Sequence, residues 1–209
     1  MNTRLYVGTF LGLSVGAWAA LLWMRGVPIS WDHFWPFGLV SSFLGAVVAL
    51  FERWLWALPP LQGWFVARPD FRGTWRVVLK SEWTDPKTGQ SPAPITCFMA
   101  VRQTLTTLSM RLMTPESSSL LVAHKVMLSN DGLYQVAGVY TNKPQVHLRG
   151  DRSEIHFGAI LLDVHGEPPT ELEGHYWTDR HTRGGMRLTD RRRQVCPTFD
   201  AARTLFGEG

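Results

Sequence analysis

The side chains in this sequence best suited to contacting a ligand are polar and aromatic residues at alternating positions of predicted strands. Tyrosine rings can stack on planar groups such as nucleobases, and an arginine guanidinium can bind phosphate through two parallel hydrogen bonds. The predicted ligand-binding residues are Trp75, Gln103, Tyr140, Tyr176, Thr178, Arg180 and Arg187. The alternative for each tyrosine is a core position with its hydroxyl at the rim. The alternative for each arginine is a surface charge.

Catalytic and metal-binding patterns are absent from the sequence. There is no G-x-S-x-G motif, no P-loop and no G-x-G-x-x-G motif. The seven histidines are scattered without metal-ligand spacing, and Cys97 and Cys196 do not form a C-x-x-C pair. The sequence therefore predicts a binding protein that is not an enzyme and that has no metal or cofactor.

Net charge gives little support to a nucleic-acid partner. The chain has 21 basic and 17 acidic residues, a formal charge of +4. Beyond residue 69 the balance is 17 basic to 15 acidic residues, because four basic and two acidic residues precede that point. An excess of this size is too small to predict nucleic-acid binding.

Two long uncharged stretches, residues 5–24 and 34–51, open the chain. At about 1.5 Å rise per residue each can cross a hydrocarbon core roughly 30 Å thick. Seven of the ten tryptophans fall in the first 64 residues, mostly near the ends of these stretches, where headgroups favour aromatic rings. Residues 1–56 are therefore predicted to form a two-helix transmembrane hairpin. A cleaved signal peptide ending near Ala17-Trp18-Ala19 is the alternative.

Basic residues near the two spans predict their orientation. The segment after the second span is the most basic, with Arg53, Arg68, Arg72 and Arg76. This bias predicts a two-pass protein of the bacterial inner membrane with both termini in the cytoplasm.

A small-residue pattern runs along the first span. Gly8, Gly12 and Gly16 form two overlapping G-x-x-x-G units on one helix face, a pattern that lets helices approach closely in lipid. The pattern either seats the two helices of one hairpin together or drives association between protomers.

The rest of the chain is predicted to be β-rich. Residues 57–70 form a proline-rich juxtamembrane linker, residues 71–195 a ligand-binding barrel and residues 196–209 a C-terminal tail. Turn residues Asn130-Asp131-Gly132 and Gly184-Gly185 separate predicted strands. The eight strands cover 73–83, 95–103, 105–114, 118–129, 132–142, 153–164, 171–179 and 184–191.

Period-two alternation predicts which side chains face inward. Trp75, Val77 and Leu79 share one face of the first strand. Eight sequential strands favour a closed up-and-down barrel, which removes exposed sheet edges, and a sandwich is the alternative. Gly73-Thr74-Trp75 is similar to the Gly-x-Trp that opens lipocalin barrels. The predicted fold class is a membrane-anchored all-β protein: an N-terminal two-helix transmembrane hairpin plus an eight-stranded antiparallel lipocalin-like β-barrel.

This layout resembles the two-transmembrane, β-strand-rich effector family of CBASS anti-phage defence. The matching features are the paired spans, the proline-rich exit, Gly73-Thr74-Trp75, Val101-Arg102-Gln103-Thr104, and Gly174-His175-Tyr176-Trp177-Thr178-Asp179-Arg180 with Gly184. The resemblance implies a barrel that binds a cyclic dinucleotide made by a neighbouring nucleotidyltransferase. It further implies a homo-oligomer that forms on activation, contacts membrane lipid and disrupts the inner membrane, killing the infected cell.

The sequence is also compatible with two other functions. A membrane-tethered lipocalin-like carrier or sensor of lipid would have an apolar barrel interior without converging arginines. A scaffolding protein would have a solidly packed barrel and no pocket.

Overall fold

The protein is described by a computed structural model that covers residues 3–28, 30–146 and 154–208. The chain divides into two compact units, Met1–Trp56 and Ala57–Gly209.

The first unit consists of two helices, α1 (Thr3–Met24) and α2 (Trp31–Arg53). They contact each other through stacked rings of Trp18 and Phe37, whose centroids are 5.3 Å apart. The two predicted helices are therefore present. Within the described residues, however, neither combines the length and apolarity required of a membrane span, and the predicted transmembrane hairpin is not supported.

The three glycines on α1 face open space in this unit. A Cβ atom built on Gly8, Gly12 or Gly16 has no described atom within 4 Å. The described residues of α2 therefore do not pack against this face.

The second unit is a closed barrel of eight antiparallel strands, each paired with its neighbours in the sequence, with the last paired to the first. The strands are β1 (Gly73–Ser81), β2 (Ile95–Gln103), β3 (Leu108–Met113), β4 (Ser117–Leu128), β5 (Tyr134–Pro144), β6 (His156–His165), β7 (Glu171–Thr178) and β8 (Arg183–Arg192). The predicted eight-stranded antiparallel barrel is confirmed, and the sandwich alternative is wrong. Residue 153, the predicted start of the sixth strand, lies outside the described residues.

The predicted turns are confirmed at one site and wrong at another. Gly132 has a positive φ of 85° in the β4–β5 turn, as the Asn-Asp-Gly sequence predicts. The turn predicted at Gly184-Gly185 is wrong, because both glycines lie within β8. The chain instead reverses at residues 179–182, where Thr178 N–H donates to the Thr182 carbonyl over 2.9 Å.

One end of the barrel, called the floor below, is closed by large buried side chains. Trp75 is fully buried, and its indole Nε1–H donates to the Phe71 carbonyl over 2.9 Å. Gln103, which is 6% exposed, accepts from Phe71 N–H over 2.8 Å and donates to the Pro69 carbonyl over 2.9 Å. These bonds fix the end of the linker against the barrel, because unpaired buried polar groups would be costly.

A short helix that the sequence does not suggest covers part of the outer barrel surface. Helix α3 (Phe199–Leu205) lies within the predicted C-terminal tail and is capped by the Thr198 hydroxyl, which accepts from Ala201 N–H. Phe199 packs on Phe98, an outward-facing residue of β2, with ring centroids 5.4 Å apart. The C-terminal segment is therefore part of the folded unit.

Alkaline pH should destabilise the barrel through Cys97. The thiol is fully buried in the core, and burial raises its pKa from 9.0 to about 12. The unfolded chain therefore loses this proton first, so stability is complete below pH 9 and falls as pH rises from 9 towards 12. We expect a loss of about 1 kcal/mol from this group at pH 10. Urea unfolding at pH 7 and pH 10 should show a smaller pH effect in Cys97→Ala, and equal effects would contradict this account.

Candidate ligand-binding site

A cavity of about 550 Å³ occupies the barrel interior at the end opposite the floor, called the upper end below. Strand ends and turns position its lining, because residues two apart on a strand point to the same side of the sheet. The lining residues are Leu79, Ile95, Met99, Met110, Leu112, Thr114, Pro115, Glu116, Ser117, Ser119, Leu121, Tyr140, Asn142, His156, Ile160, Tyr176, Thr178, Thr182 and Met186. Pockets for small ligands are commonly 300–1,000 Å³ and mostly apolar with a few polar groups, so this cavity has a suitable size and composition.

Two tyrosines lie in the cavity over glycines of the neighbouring strands. Tyr140 on β5 pairs with Gly158 on β6, and a Cβ atom at Gly158 would overlap the Tyr140 phenol. Tyr176 on β7 pairs with Gly184 on β8, where a Cβ would lie 2.9 Å from the tyrosine ring. The two glycines therefore leave space for each ring to lie across the adjacent strand. This arrangement explains why Gly184 is in a strand and not in a turn.

Burial keeps the Tyr140 hydroxyl protonated. Burial in the cavity wall raises the pKa of Tyr140 to about 12, and the neighbouring Tyr176 and Asp179 contribute in the same direction. The phenol is therefore neutral throughout the physiological range and can donate a hydrogen bond. A neutral aromatic surface with a polar tip suits a planar ligand that carries acceptor atoms.

Neutral polar groups line the cavity at its upper rim. Asn142 Nδ2–H donates to the hydroxyls of Ser119 over 2.8 Å and Ser117 over 3.1 Å. The Thr178 and Thr182 hydroxyls are hydrogen-bonded to each other over 2.7 Å. These groups can donate to or accept from a ligand without adding charge.

Cationic side chains do not contribute to the described lining. Glu116 and His156 are its ionisable residues apart from the tyrosines, and none of the described lining residues is lysine or arginine. The expected convergence of arginines in the barrel is therefore not observed in this part of the chain. The described residues also contain no cluster of histidine, cysteine, aspartate and glutamate suited to a metal ion.

The structure brings three of the seven predicted ligand-binding residues together. Tyr140, Tyr176 and Thr178 all line the cavity. Tyr140 and Thr178 flank Gly158 in one cross-strand row, and Tyr176 lies on the same face of β7 two residues before Thr178.

The other four predicted residues lie elsewhere. Trp75 and Gln103 are at the floor, with their polar atoms bonded to backbone. Arg180 is exposed in the β7–β8 turn and donates to the Glu154 carbonyl over 2.6 Å. Arg187 faces outward and pairs with Glu171 over 2.5 Å. Ligand contact at these four residues stays a prediction.

Several cavity residues were missed by the sequence analysis. Asn142 follows Tyr140 by two positions on β5, and Ser119 lies opposite Asn142 on β4. Strand alternation from Tyr140 would have identified Asn142, but the facing of β5 is unclear from sequence. Ser119 follows from Asn142 only once the register of β4 and β5 is known.

A second cavity, of about 620 Å³, lies between the linker and the floor. Its lining includes Arg191, whose guanidinium donates to the Asp70 carbonyl and lies 5.4 Å from the Trp75 ring centroid. Burial lowers the pKa of Arg191, and the nearby Asp70 opposes that shift. No pair of aromatic rings faces this cavity among the described residues, so the upper cavity is the stronger candidate for a planar ligand.

Comparison with known proteins identifies the domain that contains the cavity. No curated protein matches the chain. A family described as Cap15, cyclic dinucleotide receptor domain, matches residues 66–190, a range that includes every residue lining the upper cavity. Because the match covers more than half of the 209 residues, the chain belongs to the Cap15 family of CBASS effectors, as the resemblance in its sequence predicted.

Proposed function

We propose that the upper cavity binds a cyclic dinucleotide and that this protein is a CBASS anti-phage effector that responds to the bound ligand. The observation that carries the proposal is the pair of glycine-seated rings, Tyr140 and Tyr176, inside a cavity of suitable size. This cavity lies in the segment that matches the receptor domain. The proposed role is ligand binding and not catalysis.

Stacking and desolvation together suggest how the ligand lies. Bases stack on aromatic side chains with about 1–3 kcal/mol of favourable free energy per base. Moving charged phosphates into an apolar interior without partners is costly. We therefore place the bases against Tyr140 and Tyr176, with the phosphates towards the part of the upper rim formed by Thr178 and Thr182, whose hydroxyls can donate to them.

The N-terminal unit is proposed to carry out the effector step, which is disruption of the membrane. The uncharged stretches and the clustered tryptophans of residues 1–56 favour a two-pass anchor in the bacterial inner membrane with both termini in the cytoplasm. A cytosolic barrel could then receive a ligand from a neighbouring nucleotidyltransferase. Ligand binding would favour a homo-oligomer whose helices disrupt the membrane. A nearly complete switch requires roughly 5 kcal/mol of preferential binding to the assembled state.

Gly12→Leu should abolish cell killing, and its barrel should still bind the ligand. The open face at Gly8, Gly12 and Gly16 supports a close helix contact between protomers, and a leucine side chain at its centre would hold the backbones apart. Toxicity is measured in cells that also express the cyclase. Ala17→Leu adds the same side chain at an exposed position off this face and should remain toxic. A toxic Gly12→Leu protein would contradict a role for the glycine face.

The apolar lining favours a second candidate, a lipid-binding protein. Leu79, Met99, Leu121 and Ile160 are among the lining residues, and no arginine converges on them in the described residues. The third possibility, a packed scaffold without a pocket, does not agree with a cavity of about 550 Å³.

A thermal-shift measurement on the purified full-length protein separates the first two functions. A ligand at one hundred times its dissociation constant should stabilise the folded protein by about 2.7 kcal/mol. Stabilisation by a cyclic dinucleotide, without a comparable effect of fatty acids, supports the proposal. Stabilisation by fatty acids alone would overturn it in favour of the lipid-binding alternative.

A further inference from the structure

One buried polar atom in the upper cavity is left without a partner. Asn142 is only 8% exposed, and its Oδ1 has no hydrogen-bond partner among the described residues. Its Nδ2–H group is already bonded, to the Ser117 and Ser119 hydroxyls. Since buried acceptors are normally paired, an unpaired one in a ligand cavity is suited to a donor supplied by the ligand.

We infer that Asn142 is a specificity-determining residue whose Oδ1 accepts a hydrogen bond from an N–H group on a nucleobase edge. This inference rests on the proposed function and assigns an orientation to the ligand within the same cavity.

The chemistry of the amide favours a base over a phosphate at this position. A carbonyl oxygen carries partial negative charge and cannot donate, so it would repel a phosphate oxygen. The amide hydrogens, which could bind phosphate, are used by the two serines. In this structure the bonds to the two serines use the amide hydrogens and leave Oδ1 as the amide atom without a partner.

The position of Asn142 beside a stacking ring agrees with this role. Asn142 and Tyr140 are two residues apart on the same face of β5, or about 6.6 Å at the usual rise of a strand. Ser119 lies opposite Asn142 on β4 and His156 lies opposite it on β6. A base stacked on Tyr140 would thus direct one edge towards Asn142.

The expected consequence is discrimination between ligands that have and lack the donor. A site built to pair a buried polar group rejects an analogue that leaves the group unpaired. Asn142 should therefore penalise a base without an N–H group more than any apolar lining residue does.

The experiment is a two-by-two comparison of protein and ligand. Full-length wild-type protein is titrated with c-di-AMP, c-di-GMP and c-di-UMP, and the tightest binder is compared with its analogue methylated at the base N–H groups. We expect methylation to weaken binding to wild type by about tenfold or more. In Asn142→Ala the unmodified ligand should bind about tenfold more weakly than to wild type, and methylation should have little further effect.

Equal effects of methylation in wild type and Asn142→Ala would overturn the inference while leaving the proposed function intact. Failure of all three dinucleotides to bind wild type would overturn the proposed function and this inference with it. Lys143→Ala, on the outer face of β5, is the matched control and should bind both ligands as wild type does.

A measurement without any variant covers the case in which Asn142→Ala does not fold. The chain has three asparagines, Asn2, Asn130 and Asn142, so selective labelling of the side-chain carbonyl carbon gives few NMR signals. Saturating ligand should shift the Asn142 signal and leave the Asn130 signal in place. An unchanged Asn142 signal at saturation would contradict the inference.

Discussion

Ser119→Trp is expected to abolish binding of cyclic dinucleotides while the barrel remains folded. Ser119 is 8% exposed, faces the upper cavity, and lies opposite Asn142. An indole at this position would fill space that the ligand needs and would remove the hydroxyl that orients the Asn142 amide. We expect a loss of affinity of about 100-fold or more, equivalent to about 2.7 kcal/mol. Isothermal titration calorimetry of both proteins measures this difference.

Lys143→Trp is the matched control for this substitution. It adds the same side chain at an exposed position next to Asn142 in sequence and on the outer face of the barrel. Its affinity should equal that of wild type, and the unfolding transition of Ser119→Trp should remain cooperative. Retained binding by folded Ser119→Trp would exclude the upper cavity as the site.

Trp75→Ala should strongly destabilise the barrel or prevent it from folding. Trp75 is fully buried, closes the floor, and donates to the Phe71 carbonyl over 2.9 Å. Truncating a buried tryptophan to alanine typically costs about 3–5 kcal/mol, because apolar contacts are lost and a cavity remains. The change also leaves the Phe71 carbonyl without its donor. Chemical unfolding should show a clearly lower midpoint or no folded state.

Two further tryptophan variants serve as controls for Trp75→Ala. Trp177→Ala removes a tryptophan that is 49% exposed and should change stability by less than about 1 kcal/mol. Trp75→Phe keeps most of the buried volume and should leave enough folded protein for a binding measurement. Unchanged ligand affinity is expected from the position of Trp75 at the floor. Weaker binding would instead support the sequence-based prediction that Trp75 contacts the ligand.

The number of strands and the inward-facing side of most of them could be predicted from the sequence. Alternation in β1 places Trp75 and Val77 inside, and both are fully buried. The same reasoning places Tyr176 and Thr178 on the inner face of β7, where they line the cavity. Period-two patterns are informative in this barrel because one face of each strand is apolar and the other contacts water.

Depth along the barrel axis could not be predicted in the same way. Gln103 and Tyr140 both face inward, but Gln103 lies at the floor and Tyr140 in the upper cavity. Alternation gives the side of the sheet, whereas depth depends on the register between strands that are distant in the sequence. Proximity to the last hairpin suggests an inner position for Arg187, but its neighbours Met186 and Leu188 occupy the inner face of β8.

The remaining features depend on contacts between distant segments. The pairing of Gly184 with Tyr176 across β7 and β8 has no signature in either segment alone, and a Gly-Gly sequence ordinarily indicates a turn. Helix α3 has only seven residues, too few to show a helical period, and it is stabilised by packing on Phe98.

The most direct test of the central claim, that the upper cavity binds a cyclic dinucleotide, is an NMR titration of methionine methyl groups. Of the seven methionines, Met99, Met110 and Met186 line the cavity, whereas Met113 packs against the outer surface beneath α3. A saturating cyclic dinucleotide should shift the methyl signals of Met99, Met110 and Met186 and leave that of Met113 nearly unchanged. Unmoved signals from the three cavity methionines at ligand saturation would contradict the account.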